Sequence, residues 1–403
     1  MIKFERVDFM RFHNSILVLR LSLSTLLLLV LAAETLCVLS TGSQISAPGC
    51  IGEGGSQVDW FAILKAPNGA MYAYLDPTLG ELDPDTAEWK ISQDKTLEQS
   101  EGNALADTLQ QVYSNSDGEI AYVQYNDEAP DEKRSSSYQG HTKGVWATGR
   151  GGGFWLVHSV PRFPDPISES SGHYEGYPDF AKKYGQSFLC ISMDIQEMDA
   201  AARQFFFNRG MIYDYKEVDS LSSELPNFTT YVNGGHSKDP ESNIVKLQTR
   251  SGKFMFTSFA KTHNWNDYLY LNLIAKQFET DLLVESWMNG INPDPSFCRS
   301  PDHDEYTHNI LNVRHVAVAD DLYGSVDWKE TQDHSKWCVS PPMSYGKTGN
   351  VSLSSGGGGV KIACIGDINR QRSQNGRAGG TVCIEDEMLW TAFNKAIVEH
   401  DEC

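Results

Sequence analysis

The sequence predicts an α/β protein built from two related halves, and three observations support this. Predicted strands and helices alternate along the chain in two similar passes, as in layered α/β folds. Each pass contains the tripeptide His-x-Lys between a polar loop and a strand, at residues 141–143 and 334–336. The chain has 403 residues, enough for two fused halves with a substantial core. We place the join in the polar region 221–239, so that the halves span 50–235 and 236–403.

The elements of the first half follow from local patterns. Strands are predicted where β-branched and aromatic residues lie between turn residues, and a helix where apolar residues recur at a spacing of three to four. The glycine-rich segment 149–153 is predicted to be a hairpin turn rather than a phosphate cradle, because no helix start follows it. The predicted strands are 58–65, 71–75, 120–125, 145–148 and 154–160, and the predicted helix is 104–113.

The second half repeats this rhythm. A helix is predicted at 266–278, with Leu271, Ile274 and Phe278 facing inward and a cap from Asn264 or Asn266. The Ser/Gly-rich tract 352–359 is predicted to be a flexible insertion. Large aromatic residues in strands are predicted to lie in the core rather than to stack on bases. The predicted strands are 254–259, 282–287, 313–319 and 361–365, and the aromatic residues are Trp60, Trp155 and Trp337.

The N-terminus predicts a secretory signal peptide over residues 1–42. Basic residues precede an apolar run at 21–33, and small residues gather near Ser40 and Gly42. An uncleaved membrane anchor is the alternative, but Glu34 interrupts the run well short of the roughly 20 residues that a span needs. We therefore expect a mature protein that is soluble and either lumenal or secreted.

The cysteines fit an oxidising compartment. Seven remain once Cys37 is removed with the signal peptide, which predicts three disulfides and one free thiol. The chain contains no Cys-x-x-Cys and no His-Glu-x-x-His, which argues against structural zinc and against a zinc protease. Acceptor sequons at Asn227 and Asn350 predict a glycoprotein.

The formal net charge of −20 excludes a protein that wraps nucleic acid at neutral pH through a basic surface. It does not exclude an enzyme that meets a polyanion at acid pH. There the eleven histidines gain charge and many of the 53 carboxylates lose theirs, so that the repulsion weakens. An acidic compartment would reconcile this chain with a polyanionic substrate.

The His-x-Lys tripeptides predict chemistry on phosphate. An imidazole can attack phosphorus or protonate a departing oxygen, and in an extended segment a lysine two residues on points to the same face. A third copy at 236–238 follows two glycines and is predicted to be a loop at the join. The other two copies each precede a strand whose end is rich in small polar residues, at 158–161 and 366–370. Together they predict an internally duplicated phosphodiesterase that needs no metal.

These motifs resemble deoxyribonuclease II, the acid endonuclease family of the phospholipase D superfamily. The resemblance covers essentially the whole mature chain. The matching stretches, in chain order, are 58–61, 125–127, 140–145, 153–161, 258–261, 333–341, 366–370 and 379–383.

The resemblance implies a phospholipase D-like pseudo-twofold fold with one shared active-site cleft. It also implies cleavage of double-stranded DNA at acid pH without a divalent metal, leaving 3′-phosphate and 5′-hydroxyl ends, in a lysosomal or secreted protein. By motif, His141 and His334 are the catalytic pair, and Lys143 and Lys336 clamp the phosphate. A further site histidine and three substrate-binding residues are expected at the strand ends: His158, Ser159, Asp367 and Asn369. The implied disulfides are Cys50–Cys190, Cys298–Cys403 and Cys364–Cys383, which leaves Cys338 free.

The expected mechanism passes through a phosphohistidine. One imidazole must be neutral to attack and the other protonated to release the 5′ oxygen, so the singly protonated pair is the competent state. Superfamily analogy makes His141 the nucleophile and His334 the acid, although the sequence would look the same with these roles exchanged. Two other functions remain open: a phospholipid-hydrolysing phospholipase D relative, and an inactive glycoprotein that binds DNA or another ligand.

Overall fold

The computed structural model describes residues 47–80, 87–92, 94–115, 118–130, 139–303, 305–320, 324–342 and 359–403. The predicted signal peptide, the Ser/Gly-rich tract up to residue 358 and the Asn350 sequon lie outside these residues.

Most strands belong to two large sheets, one in each half of the chain. Strands up to residue 216 are β1 (Cys50–Ile51), β2 (Gln57–Val58), β3 (Trp60–Lys65), β4 (Tyr72–Leu75), β5 (Lys90–Ile91), β6 (Ala121–Tyr125), β7 (Gly144–Gly149), β8 (Gly152–His158), β9 (Gln186–Met193) and β10 (Ile212–Lys216). The later strands are β11 (Ser242–Gln248), β12 (Met255–Lys261), β13 (Leu282–Glu285), β14 (Ile310–Asp320), β15 (Gly324–Lys329), β16 (Trp337–Val339), β17 (Ile362–Gly366), β18 (Gly379–Glu385) and β19 (Ile397–His400).

The two sheets share the arrangement of their five inner strands. The first runs β10-β6-β7-β8-β9-β3-β4-β5, and the second runs β11-β12-β18-β17-β16-β13-β14-β15, with β19 beside β14. In both, four strands lie side by side in chain order and an earlier strand (β3 or β12) lies next to the last of them, giving β6-β7-β8-β9-β3 and β13-β16-β17-β18-β12. Among the described ladders of these sheets, only β13–β14 is parallel. The predicted α/β class is therefore confirmed, with antiparallel rather than parallel sheets.

The helices lie between and outside the sheets. The α-helices are α1 (Ala104–Tyr113), α2 (Ile195–Asn208), α3 (Pro226–Val232), α4 (π-helical over Leu269–Ala275, then α-helical over Lys276–Phe278) and α5 (Glu387–Ala396). Short 3₁₀ turns occur at Pro77–Gly80, Ile167–Glu169, Asp179–Lys182, Asp219–Leu221, Glu330–Gln332 and Arg372–Gln374. None of the helices in the part of the chain described by the structure is both long enough and apolar enough to cross a membrane.

One core joins the two halves. Apolar residues on the facing sides of both sheets pack with helices α2, α3 and α5 in a single cluster. Helix α1 covers the outer side of the first sheet, and α4 covers the outer side of the second. Trp60, Trp155 and Trp337 are buried in the shared cluster, as predicted. Such a core fixes each sheet edge relative to the other, which a site built from both sheets requires.

The predicted cap of helix α4 is wrong. Asn264 and Asn266 both have positive φ, 64° and 46°, so neither leads directly into a right-handed helix. The helix begins at Leu269, and the Asp267 carboxylate accepts the Tyr268 N–H at 2.7 Å. The inward positions of Leu271 and Ile274 are confirmed.

Three disulfides close the fold. They join Cys50 to Cys190, Cys298 to Cys403 and Cys364 to Cys383, the pairs implied by the resemblance. Cys338 is a free, buried thiol on β16, opposite Cys364 in the ladder, and burial raises its pKa. A thiol with a raised pKa is a poor nucleophile, so this cysteine is shielded from exchange with the adjacent disulfide.

Candidate active site

The first His-x-Lys motif lies directly before β7 and is fixed by its backbone. The N–H of Gly140 donates to the Arg209 carbonyl, and the N–H of His141 donates to the Ala378 carbonyl, both at 2.8 Å. His141 Nδ1 lies 2.6 Å from the backbone carbonyl of Asp367, the residue that follows β17. A carbonyl can only accept, so Nδ1 carries the proton and Nε2 is left as the free nitrogen of the neutral ring.

Asp367 also holds the rest of this motif. Its carboxyl oxygens accept the Thr142 hydroxyl at 2.7 Å and the Lys143 N–H at 3.3 Å. Burial raises the pKa of Asp367 to about 7, against the opposing effects of Thr142 and Lys143. This side chain was predicted to bind substrate. The structure places it against Thr142 and the backbone of Lys143, while the Asp367 carbonyl contacts His141; a role in binding substrate stays a prediction.

The second motif is held in the same way by the first sheet. His334 N–H donates to the Gly185 carbonyl at 2.9 Å, and His334 Nδ1 lies 3.1 Å from the carbonyl of Ser159, the residue that follows β8. The Ser159 hydroxyl donates to Gln186 Oε1 at 2.5 Å, and it accepts the Ser187 N–H at 2.9 Å. Ser159, predicted to bind substrate, therefore has its hydroxyl engaged in holding the loop around His334.

Each histidine is thus held by a backbone carbonyl from the other half of the chain. His141 contacts the carbonyl of Asp367, which lies two strands after the second motif. His334 contacts the carbonyl of Ser159, which lies two strands after the first motif. The Lys336 ammonium donates to the His334 carbonyl at 2.5 Å and lies 3.0 Å from His334 Nδ1. His141 therefore keeps Nε2 available. At His334 the Ser159 carbonyl calls for a proton on Nδ1, whereas the Lys336 ammonium can only donate to that nitrogen, so the two neighbours favour opposite tautomers of the neutral ring.

The electrostatics of the two motifs are coupled. Desolvation, then Lys143, lower the pKa of His141 well below its usual value, and Asp127 partly opposes this. Desolvation lowers the pKa of His334 in the same direction, followed by Lys336, Lys143 and His141. Charges of the first motif thus act on the histidine of the second, as they do only at short range.

Asp127 was not predicted as a site residue. Its carboxylate pairs with Lys143, lies 3.8 Å from His141 Nε2 and accepts from Arg377 at 3.3 Å. Burial opposes its ionisation, but Lys143, His141 and Arg377 outweigh burial and lower the pKa of Asp127. The stretch 125–127 contributed to the resemblance, yet nothing in the sequence showed that this carboxylate reaches the free nitrogen of His141.

Trp287 is a second residue that the sequence did not indicate. Its ring packs edge-on against the His334 imidazole, with centroids 5.2 Å apart, and against Tyr184 at 4.8 Å. It limits the positions that the half-buried His334 ring can take. It sits two residues after β13, and only the fold brings it to the second motif.

His158 lies at the end of β8 in an aromatic setting. Its ring centroid is 5.3 Å from that of Phe163 and 6.0 Å from that of Phe188, and Nδ1 accepts the Val160 N–H at 3.2 Å. Burial, then Lys143, lower the pKa of His158 to about 3. Within the described residues, its Nε2 has no hydrogen-bond partner. These contacts shape the loop that carries Ser159; a direct role in the reaction stays a prediction.

Two further predicted features make no hydrogen bond with the catalytic pair among the described contacts. Asn369 is buried, and within the described residues its Oδ1 has no hydrogen-bond partner; its role in binding substrate stays a prediction. The third tripeptide, 236–238, forms a loop after α3, with His236 Nδ1 2.9 Å from the Gly234 carbonyl, as predicted. Across the described ranges, no three His, Cys, Asp or Glu side chains group together as metal ligands would.

Comparison with known proteins gives the family. A sequence model described as Deoxyribonuclease II matches residues 49–403. The chain belongs to the deoxyribonuclease II family. It is 33% identical to Plancitoxin-1 of Acanthaster planci over 387 residues, which cover 94% of this chain and 99% of that protein. Deoxyribonuclease-2-alpha of Rattus norvegicus is 32% identical, with 88% of this chain and 94% of that protein covered. Deoxyribonuclease-2 of Caenorhabditis elegans is 31% identical, with 91% and 96% covered.

Membership of the deoxyribonuclease II family agrees with the resemblance drawn from the motifs. The matched region contains both His-x-Lys motifs, their holding residues Asp367 and Ser159, and all three disulfides. The match begins at residue 49, after the predicted signal peptide.

Proposed function

We propose that this chain is an acid endonuclease that hydrolyses phosphodiester bonds of double-stranded DNA without a metal, leaving 3′-phosphate and 5′-hydroxyl ends. The observation that carries the proposal is that the histidine of each motif contacts a carbonyl from the other half of the chain. Each imidazole has Nδ1 beside a carbonyl of the other half, and charges of the first motif act on the histidine of the second. In the protonated His334 that the reaction needs, Nδ1 can donate to Ser159 while Nε2 carries the proton for the leaving oxygen. Similar proteins bear the name deoxyribonuclease-2.

The proposed reaction has two displacements. Neutral His141 attacks phosphorus through Nε2 and forms an N–P bond, while the P–O5′ bond breaks and protonated His334 gives its proton to the leaving oxygen. His334, now neutral, then takes a proton from water, which attacks the phosphohistidine. The N–P bond breaks, the 3′-phosphate leaves, and both histidines return to their starting states.

The lysines stabilise the charge on phosphorus in this scheme. Lys143 and Lys336 neutralise the non-bridging oxygens, whose charge grows in the transition state. In the structure Lys143 instead pairs with Asp127. An incoming phosphate would compete with that carboxylate for the same ammonium, so substrate binding includes an exchange of anions.

The depressed pKa values support an acid optimum. Desolvation and neighbouring lysines favour the neutral form of both imidazoles. The general acid must carry a proton, and the protonated fraction of a group with a lowered pKa grows as the pH falls towards that pKa. Cleavage should therefore rise as the pH drops below the usual range of histidine, until the nucleophile is protonated as well.

Several coarser features belong to the same proposal. We infer that the shared arrangement of the inner strands reflects a phospholipase D-like pseudo-twofold fold, with halves 50–235 and 236–403 around one cleft. A signal peptide over 1–42 would direct the protein to the lysosome or out of the cell. Glycans are expected at Asn227 and Asn350, and the Asn227 amide donates to the Asp199 carboxylate at 2.7 Å.

Plasmid cleavage at mildly acid pH in excess EDTA tests the proposal. Wild type should cut and leave 3′-phosphate ends, whereas His141→Ala and His334→Ala should each lose at least about 10³-fold in rate, the scale of removing a catalytic group. His236→Ala is the matched control, because it alters the third His-x-Lys in an unrelated loop. Cutting that requires magnesium, or that survives both substitutions, would overturn the proposal.

A further inference from the structure

We propose that two buried lysines, Lys65 and Lys261, are positioning residues that each hold the catalytic motif of the opposite sheet by organising the loop next to it. The inference rests on the proposed function, because it assigns the lysines to the two histidines of that reaction. Neither lysine belongs to a His-x-Lys motif, and neither side chain is exposed to solvent.

Lys65 is the last residue of β3. Its ammonium donates to three backbone carbonyls, those of Ala66 at 2.8 Å, Gly69 at 2.8 Å and Lys182 at 3.0 Å. The chain then runs from Lys182 to Gly185, whose carbonyl accepts the His334 N–H at 2.9 Å. Lys65, in the first sheet, therefore fixes the segment on which the second motif docks.

Lys261 is the last residue of β12 and does the same from the other side. Its ammonium donates to the carbonyls of Gln374 at 3.3 Å and Asn375 at 2.7 Å, and to that of Arg377. The next residue, Ala378, accepts the His141 N–H at 2.8 Å. Lys261, in the second sheet, therefore fixes the segment on which the first motif docks.

The two lysines occupy equivalent positions in their sheets. Lys65 pairs with Gln186, the first residue of β9, and Lys261 pairs with Gly379, the first residue of β18. Each ammonium also lies near an aromatic ring, Tyr177 at 5.6 Å and Trp265 at 5.8 Å. Because the same arrangement occurs in both sheets, we assign the two lysines the same role.

A lysine suits this task because its ammonium carries three donors and no acceptor. Three carbonyls can therefore converge on a single point. Those around Lys261 belong to one loop, and those around Lys65 join the turn after β3 to the segment at Lys182. Burying the charge is costly, and an apolar side chain of similar length would fill the same space without that cost. In keeping with this, burial lowers the pKa of Lys65 and of Lys261 to about 7 each. The charge is retained where it aligns the loop that docks a motif.

Imidazole NMR on the full-length protein tests the assignment without relying on activity. The histidines are labelled with carbon-13, and the His141 and His334 signals are assigned from His→Gln variants. Lys261→Met should shift the His141 signal and leave His334 in place, and Lys65→Met should do the reverse. Lys246→Met, at an exposed lysine of β11, is the control and should shift neither. Equal shifts of both signals in each variant, or no shift in either, would overturn the inference.

A kinetic readout separates the two lysines further. Each Met variant should cut plasmid about 10- to 100-fold more slowly, as for misplaced catalytic groups. In bis(p-nitrophenyl) phosphate the leaving group departs without a proton, so its cleavage needs no general acid. On this substrate Lys65→Met, which disturbs His334, should recover the wild-type rate, whereas Lys261→Met, which disturbs His141, should stay slow. If a Met variant does not fold, Lys→Gln is measured in the same way, because its amide keeps two N–H donors. Recovery of both variants, or of neither, would contradict the assignment. A wild-type protein that cleaves neither plasmid nor bis(p-nitrophenyl) phosphate would instead count against the proposed function alone.

Discussion

At the scale of single residues, the charges around His141 separate its role from that of His334. Asp127 lies 3.8 Å from His141 Nε2, and its negative charge favours the protonated form of that ring. Among the influences on the pKa of His334, the leading ones are instead desolvation, Lys336, Lys143 and His141 itself. A change at Asp127 should therefore act mainly on one limb of the pH profile.

We predict that Asp127→Asn moves the acid limb of kcat/KM about one pH unit lower, the scale of losing a close opposite charge. If His141 is the nucleophile, it must be neutral, and a lower pKa keeps it neutral at lower pH. The alkaline limb, set by the general acid, should stay. Initial rates from pH 3 to 7 measure this, with the exposed Asp302→Asn as control. Movement of the alkaline limb instead would assign the roles the other way round.

At the scale of elements, the first motif depends on a close approach between loops. A Cβ added to Gly140 would lie 1.7 Å from the Asn208 carbonyl oxygen at the end of α2, far inside contact distance. The same residue donates to the Arg209 carbonyl at 2.8 Å. The motif therefore needs glycine before His141 so that the backbone can dock.

Gly140→Ala should lower plasmid cleavage by about 100-fold, because a shift of the docked backbone by 1 Å misplaces the imidazole. The free energy of unfolding should fall by about 1–3 kcal/mol, as for other overpacked sites. Cleavage rates and urea denaturation check both effects. Gly54→Ala offers a matched control, since an added Cβ there meets nothing within 4 Å. Full activity in Gly140→Ala would show that this docking is not required.

Local sequence patterns predict some helices and hairpins but not the long-range contacts of the motifs. Helix α1 and the β7–β8 hairpin follow from spacing and turn residues a few positions apart, and they lie close to where they were predicted. The contacts of the motif histidines do not follow from local patterns. His141 contacts Asp367 at a separation of 226 residues, and His334 contacts Ser159 at a separation of 175 residues. Such contacts depend on how the sheets pack, and no local pattern specifies that.

At the scale of the whole molecule, the acid pH of the proposed reaction lowers the stability of the fold. A histidine whose folded pKa is lowered binds fewer protons in the folded state than in the unfolded chain between the two pKa values. Its contribution to stability is complete above the unfolded pKa and is lost as the pH falls. For His158 that window runs from 6.5 to about 3, which covers mildly acid pH. Three disulfides work against this loss by restricting the unfolded chain.

His158→Asn should therefore reduce the sensitivity of the fold to acid. Asparagine retains an acceptor for the Val160 N–H but cannot be protonated. Between pH 7 and pH 4.5 the wild type should lose about 2–3 kcal/mol more than the variant, from about 1.4 kcal/mol per unit of titration. Asp367, whose pKa is raised to about 7, acts in the opposite direction, but it is present in both proteins and cancels in the difference. Guanidinium unfolding at the two pH values measures the effect, and equal losses in both proteins would mean that His158 is protonated in the folded state at pH 4.5.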